Sequence, residues 1–184
     1  MRATLVAFIV LAMAAGARAG VYGIEIDGKK TWLTINTPAG WTESEREAPI
    51  DGLIWNFTPI DHKTNAFCEL WLLDVSDKEY STKKKLSRQV EDLARKMVTS
   101  LDPKLRMPDV KPFNCKQGFG FYYSLVDPSM AGKASQPGNP KQVTGGLIRL
   151  ESGVVIEVRI ASDGDKTEGY QQLLAMVEAL QLKH

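Results

Sequence analysis

The sequence predicts an α+β protein built on an antiparallel sheet with helices on both of its faces. Three observations predict it. Residues 66–74 are apolar on both alternating sets: Ala66, Cys68, Leu70 and Leu72 on one, Phe67, Trp71 and Leu73 around Glu69 on the other. That is the pattern of a strand covered on both sides, and helices are a common cover. Two segments carry apolar residues at helical spacing, residues 81–101 and the stretch that follows Asp165. Residues 146–150 and 154–161 read as an antiparallel hairpin.

The elements follow in order. Residues 21–26 and 31–37 are strand-like, separated by the Asp27-Gly28 turn signal, and Pro38-Ala39-Gly40-Trp41 ends the second. Residues 43–51 are polar and charge-rich, which predicts a loop. Residues 53–58 and 66–74 are the next strands. In the first helix Leu86, Val90, Leu93, Ala94, Met97, Val98 and Leu101 form one apolar stripe. Ser81 or Thr82 caps its start, and Pro103 and Pro108 block continuation. Lys83, Lys84 and Lys85 occupy its first turn, as a solvated basic corner or as a contact for an anionic surface.

Residues 110–116 and 119–126 follow as strands. Gly118 and Gly120 flank Phe119 as turn and bulge positions, since no helix and no Lys-Ser/Thr pair follows to make a phosphate loop. Residues 127–142, with three prolines, form a long loop. In the hairpin, a three-residue loop Glu151-Ser152-Gly153 sets Leu150 opposite Val154 and Ile148 opposite Ile156. That register keeps the apolar side chains on one face and puts Gly153 where a left-handed residue is needed. The final helix starts at a capping-box pattern, Asp165 with Glu168, and carries Tyr170, Leu173, Leu174, Val177 and Leu180 on its apolar stripe.

The chain has 184 residues, with 23 Lys+Arg against 22 Asp+Glu. That length suits a single domain. The near-neutral balance excludes a generally basic nucleic-acid binder. Two cysteines exclude a disulfide-dense scaffold and a four-cysteine zinc site. Met1-Arg2, the apolar run 3–15 and the small-x-small triplet Ala17-Arg18-Ala19 have the layout of a secretory signal peptide. The expectation is therefore a signal peptide at 1–19 and one domain at 20–184, with no later transmembrane segment, in a periplasm or outside the cell. An uncleaved anchor is the alternative. Removing 1–19 takes away Arg2 and Arg18 but no acid, which reverses the sign of the net charge.

Catalytic chemistry is sparse. Outside residues 1–19 the histidines are His62, in a turn, and the terminal His184. No nucleophile-elbow or zinc-protease motif occurs. Residues 163–168 resemble a calcium loop, but Glu168 stands where the sixth position needs glycine, so they read as a helix cap. Glu43, Glu45 and Glu47 read as an acidic loop rather than an acid–base pair. No catalytic, metal or cofactor site is expected. Cys68 and Cys115 are a candidate disulfide, or two buried free thiols. The outward face of the hairpin carries Arg149, Val155, Glu157 and Arg159, with Arg149 in diagonal reach of Glu157. Those charges read as a surface pair or as a polar recognition face. Trp71 reads as core. Trp41 reads as core or as a half-exposed anchor for a partner.

The segment Ile35-Asn36-Thr37-Pro38-Ala39-Gly40-Trp41 resembles a motif frequent in the PsbP-like superfamily, and the order of elements over residues 21–182 is similar. The resemblance implies an α/β/α sandwich around an antiparallel sheet. Its members include an extrinsic subunit of the photosynthetic oxygen-evolving complex, a Ran-binding nuclear factor and bacterial DcrB-type envelope proteins. Their roles are mostly binding and accessory, without a shared catalytic site. The expectation is thus an exported non-enzymatic accessory or binding protein with a protein partner in the envelope. A small carboxylate-using enzyme and a structural envelope subunit are the alternatives. Fold alone does not decide among them.

Overall fold

The computed structural model describes residues 18–26, 29–47, 53–61, 63–73, 78–130, 132–134, 136, 138–151 and 153–183. The expected signal segment up to residue 17, the Asp27-Gly28 turn, His62, Ser152 and His184 lie outside the described residues.

The elements are β1 (Arg18–Ile26), β2 (Lys29–Thr37), β3 (Trp41–Glu47), β4 (Leu53–Pro59), β5 (Ala66–Leu73), α1 (Lys83–Leu101), β6 (Lys111–Phe113), β7 (Phe119–Val126), β8 (Gln142–Arg149), β9 (Val155–Ser162), α2 (Glu168–Glu178) and β10 (Gln181–Lys183). They form two antiparallel sheets: three strands in the order β1-β2-β10, and seven in the order β3-β4-β5-β9-β8-β7-β6.

This corrects the expected α/β/α sandwich. Strand makes up 47% of the described residues, which hold two α-helices. The inner face of the large sheet is packed against the small sheet, with α2 filling the space beside it. Leu53, Trp55, Phe57, Cys68, Leu70, Ile148, Ile156, Val158 and Ile160 meet Tyr22, Ile24, Leu33, Ile35 and Leu182, together with Tyr170, Leu173, Met176 and Val177 of α2. The Tyr22 and Trp55 rings, 5.1 Å apart, join the sheets. On the outer face α1 covers β7 and β8, where Leu86, Val90, Ala94 and Val98 meet Tyr123, Leu125, Leu147 and Val155.

The two-sided apolar pattern of β5 misled for a physical reason. Ala66, Cys68 and Leu70 are buried in the inner core, but Phe67 and Trp71 on the outer face are only half-buried. The arms of two arginines, not a second helix layer, flank Trp71.

Other expectations meet the structure locally. β7 has the predicted bounds. The hairpin register is the predicted one, with Ile148 opposite Ile156 and the Leu150 amide donating to the Val154 carbonyl at 2.8 Å. Gly153 is left-handed at φ 91°. Thr82 caps α1, its hydroxyl accepting from the Lys85 amide. In α2 the cap is Thr167, accepting from the Tyr170 amide, rather than Asp165.

Residues 41–47, expected to end one strand and open a loop, form β3. As an edge strand, β3 pairs only with β4 and needs no apolar alternation. Its charges instead protect the open edge. β10 has no local signal of its own. It is held by β2 and by Gln117, whose side-chain amide spans the Leu182 backbone: Oε1 accepts from the amide at 2.6 Å and Nε2 donates to the carbonyl at 3.4 Å.

Candidate functional site

Among the described residues, the outer face that α1 leaves open carries a cluster of ion pairs. Strand register builds it. Arg46, Ile54, Trp71 and Glu157 stand in one row across β3, β4, β5 and β9. Asn56, Glu69, Arg159, Gly145 and Tyr123 stand in the next row, across β4, β5, β9, β8 and β7. Side chains two residues apart on a strand share a face, so these residues converge on one surface.

Glu69 is the hub. Its Oε1 accepts from Arg46 at 3.3 Å and its Oε2 faces Arg159 at 3.5 Å. Arg159 also lies 3.9 Å from Glu157. The two guanidiniums stand 6.0 and 5.8 Å from the Trp71 ring centre, within cation–π reach. The arginine side chains are 48% and 41% exposed while that of Glu69 is only 17% exposed. The carboxylate therefore anchors two cations that still face solvent. Such pairs add little stability; they hold the guanidiniums in place.

Beside this cluster lies a cleft of about 250 Å³ under the second half of α1, lined by Leu93, Lys96, Met97, Tyr123, Glu157 and Arg159. Gly145 gives it depth. A Cβ there would come within 2.6 Å of the Tyr123 hydroxyl, so only glycine lets that ring lie against the sheet. Burial raises the Glu157 carboxyl above its usual range, against the pull of Arg159; Glu69 raises it further and Lys96 lowers it. Burial also raises the Tyr123 hydroxyl.

The predicted site residues divide. Glu157 and Arg159 belong to the cluster. Arg149 does not: it lies opposite Val155, and its guanidinium donates to the Gly153 carbonyl at 3.3 Å. The partner of Glu157 is Arg159, two residues along the same strand, rather than Arg149 on the diagonal. Trp41 is only 5% exposed and is no surface anchor. Pro38, Ala39, Gly40 and Trp41 form a turn closed by the Trp41 amide on the Pro38 carbonyl, with Gly40 at φ 83° as its third residue requires. That turn sends the indole inward, where Nε1 donates to Gln172 Oε1 of α2 at 2.7 Å. Arg46, Glu69, Lys96 and Tyr123 were missed. The available signal was Glu69, a lone charge inside an apolar strand.

Cys68 and Cys115 are free thiols. Cys68 lies on β5 and Cys115 just beyond β6, at the other side of the large sheet, and bridging would need their Cα atoms within about 7 Å. Burial raises the Cys68 thiol strongly. It also pushes Cys115 up to about 11, with Glu178 adding to the shift. On native protein, alkylation at neutral pH should be slow at Cys115 and blocked at Cys68. Denaturation without reductant should then expose both. Intact mass reads the result, and an unmodified pair after denaturation would restore the disulfide.

Among the described residues no group of three His, Cys, Asp or Glu side chains is placed to hold a metal ion. No described helix is long and apolar enough to cross a membrane. No family model matches the chain, and no curated protein or solved structure matches it.

Proposed function

We propose that the chain is an exported, non-enzymatic accessory or binding protein of the cell envelope that receives a protein partner on the outer face of its large sheet. One observation carries the reading: the guanidiniums of Arg46 and Arg159 both lie within cation–π reach of Trp71, at 6.0 and 5.8 Å from its ring centre, on a face that α1 leaves open. Tryptophan and arginine are the residue types that dominate binding energy at protein interfaces. Here both guanidiniums are held by Glu69 before any partner arrives, which lowers the ordering cost of association. The favoured partner surface carries carboxylates for the arginines and an apolar side chain for the cleft beneath α1. Export rests on the layout of residues 1–19, and the likeness to the PsbP-like superfamily on the Pro38-Ala39-Gly40-Trp41 turn.

The test places a photo-crosslinker at Thr58 or Ser44, beside the cluster, and identifies the protein captured in the native envelope. Affinity for that protein is then measured with Arg46→Ala and Arg159→Ala. Each should weaken binding by about tenfold or more, at unchanged stability within about 0.5 kcal/mol. Unchanged affinity in both variants would sink the assignment of this face.

A further inference from the structure

A second site lies on the opposite, inner face of the large sheet. We propose that the pocket between β7, β8 and the start of α2 binds a monosaccharide-sized hydroxylated carboxylate, a sugar acid. The pocket measures about 400 Å³, within the usual range for small-molecule sites. Its walls are polar. Lys111 and Lys166 contribute two cations, Asp165 a carboxylate, and Tyr122, Ser124 and Tyr170 contribute hydroxyls.

Gln142 makes this more than a surface hollow. It lines the pocket, is only 6% exposed, and its Nε2 is buried with no hydrogen-bond partner. A buried donor without an acceptor is a standing cost, and native structures rarely carry one without cause. A ligand oxygen would satisfy it. Next to it runs a hydroxyl chain. Ser124 Oγ and Thr144 Oγ1 are 2.7 Å apart, and Thr144 Oγ1 is 3.4 Å from the Tyr170 hydroxyl. Hydroxyl protons rotate, so this chain can donate or accept as a ligand requires.

Each group selects part of the ligand. The two lysines favour a negative charge. The Gln142 amide needs an acceptor. The hydroxyls and Asp165 suit ligand hydroxyls that both donate and accept. A simple carboxylate leaves the hydroxyl chain unused. A neutral sugar leaves the lysines unused.

Calorimetric titration of the full chain with D-glucuronate, D-glucose and acetate tests this. Glucuronate should bind, with glucose and acetate weaker by about tenfold or more. Gln142→Leu should abolish glucuronate binding without lowering stability, because it removes an unmet donor rather than a contact. Lys166→Ala, at an exposed residue, should weaken glucuronate by about tenfold and leave glucose unchanged. The proposal is overturned if glucuronate fails to bind at millimolar concentration. It is equally overturned if glucose or acetate binds as well, or if glucuronate binds Gln142→Leu and Lys166→Ala as tightly as the unaltered chain.

Discussion

Trp41→Ala should cost about 3–5 kcal/mol of folding stability, the range for deleting a large buried aromatic. Trp41 opens the edge strand β3, yet its side chain is buried in the inner core and bonded to α2. Removing it opens a cavity where the large sheet meets that helix. Trp41→Phe keeps most of the packing and loses the bond to Gln172, so it should cost about 1–2 kcal/mol. Urea unfolding measures both, as a lower midpoint with unchanged slope. Had Trp41 been a partner anchor at the surface, both variants would fold with near-normal stability. An Ala variant within about 0.5 kcal/mol of the unaltered chain would contradict its place in the core.

The second large effect is a pH dependence carried by Glu43. The residue lies on β3 beside the inner core. Thr37 Oγ1 donates to its Oε2 at 2.6 Å, and its Oε1 is buried with no partner. Burial, with Glu45 nearby, raises its pKa from 4.5 to about 7. Between those values the folded chain keeps a proton that the unfolded chain has released. The unfolded state then binds fewer protons, so stability falls as pH rises through that window and levels off above it. The full shift would correspond to about 3 kcal/mol; partial exposure of the group reduces this to on the order of 1–2 kcal/mol. Glu43→Gln stays neutral at every pH. It should match the unaltered chain near about pH 4 and exceed it by that amount near about pH 8. Stability curves that run parallel across this range would show that Glu43 is not protonated in the fold.

Trp41 and Glu43 also mark where reading the sequence succeeds and fails. The Pro38-Ala39-Gly40-Trp41 turn was legible, because proline and a positive-φ glycine are local requirements. The strand after it was not. Trp41, Glu43 and Glu45 share a face that dips into the core only in part, so no apolar alternation announces β3. The hairpin of β8 and β9 was legible down to its register, since its short loop and alternating faces leave one consistent pairing. β10 was invisible, because three residues at a chain end carry no period and acquire strand structure only beside β2.

The candidate site shows the same division. Glu157 and Arg159 were legible as outward charges on a strand with a defined inner face. Their partners were not. Arg46 lay in a stretch read as a loop, and Glu69 and Trp71 lay on a face expected to be covered. The pocket around Gln142 had no sequence signal, because its walls come from four separate segments of the chain.

What the sequence by itself determined, then, was the set of local elements: both helices with their apolar stripes, most strands, and the turns that need glycine or proline. Each follows from periods and backbone preferences contained within a short segment. The tertiary structure alone decided the strand order that sets β9 beside β5, the small sheet that takes the place of an expected helical layer, and the meeting of Arg46, Glu69, Trp71 and Arg159. Those outcomes depend on contacts between residues far apart in the chain. Their energies come from shared burial and charge, which no single segment contains.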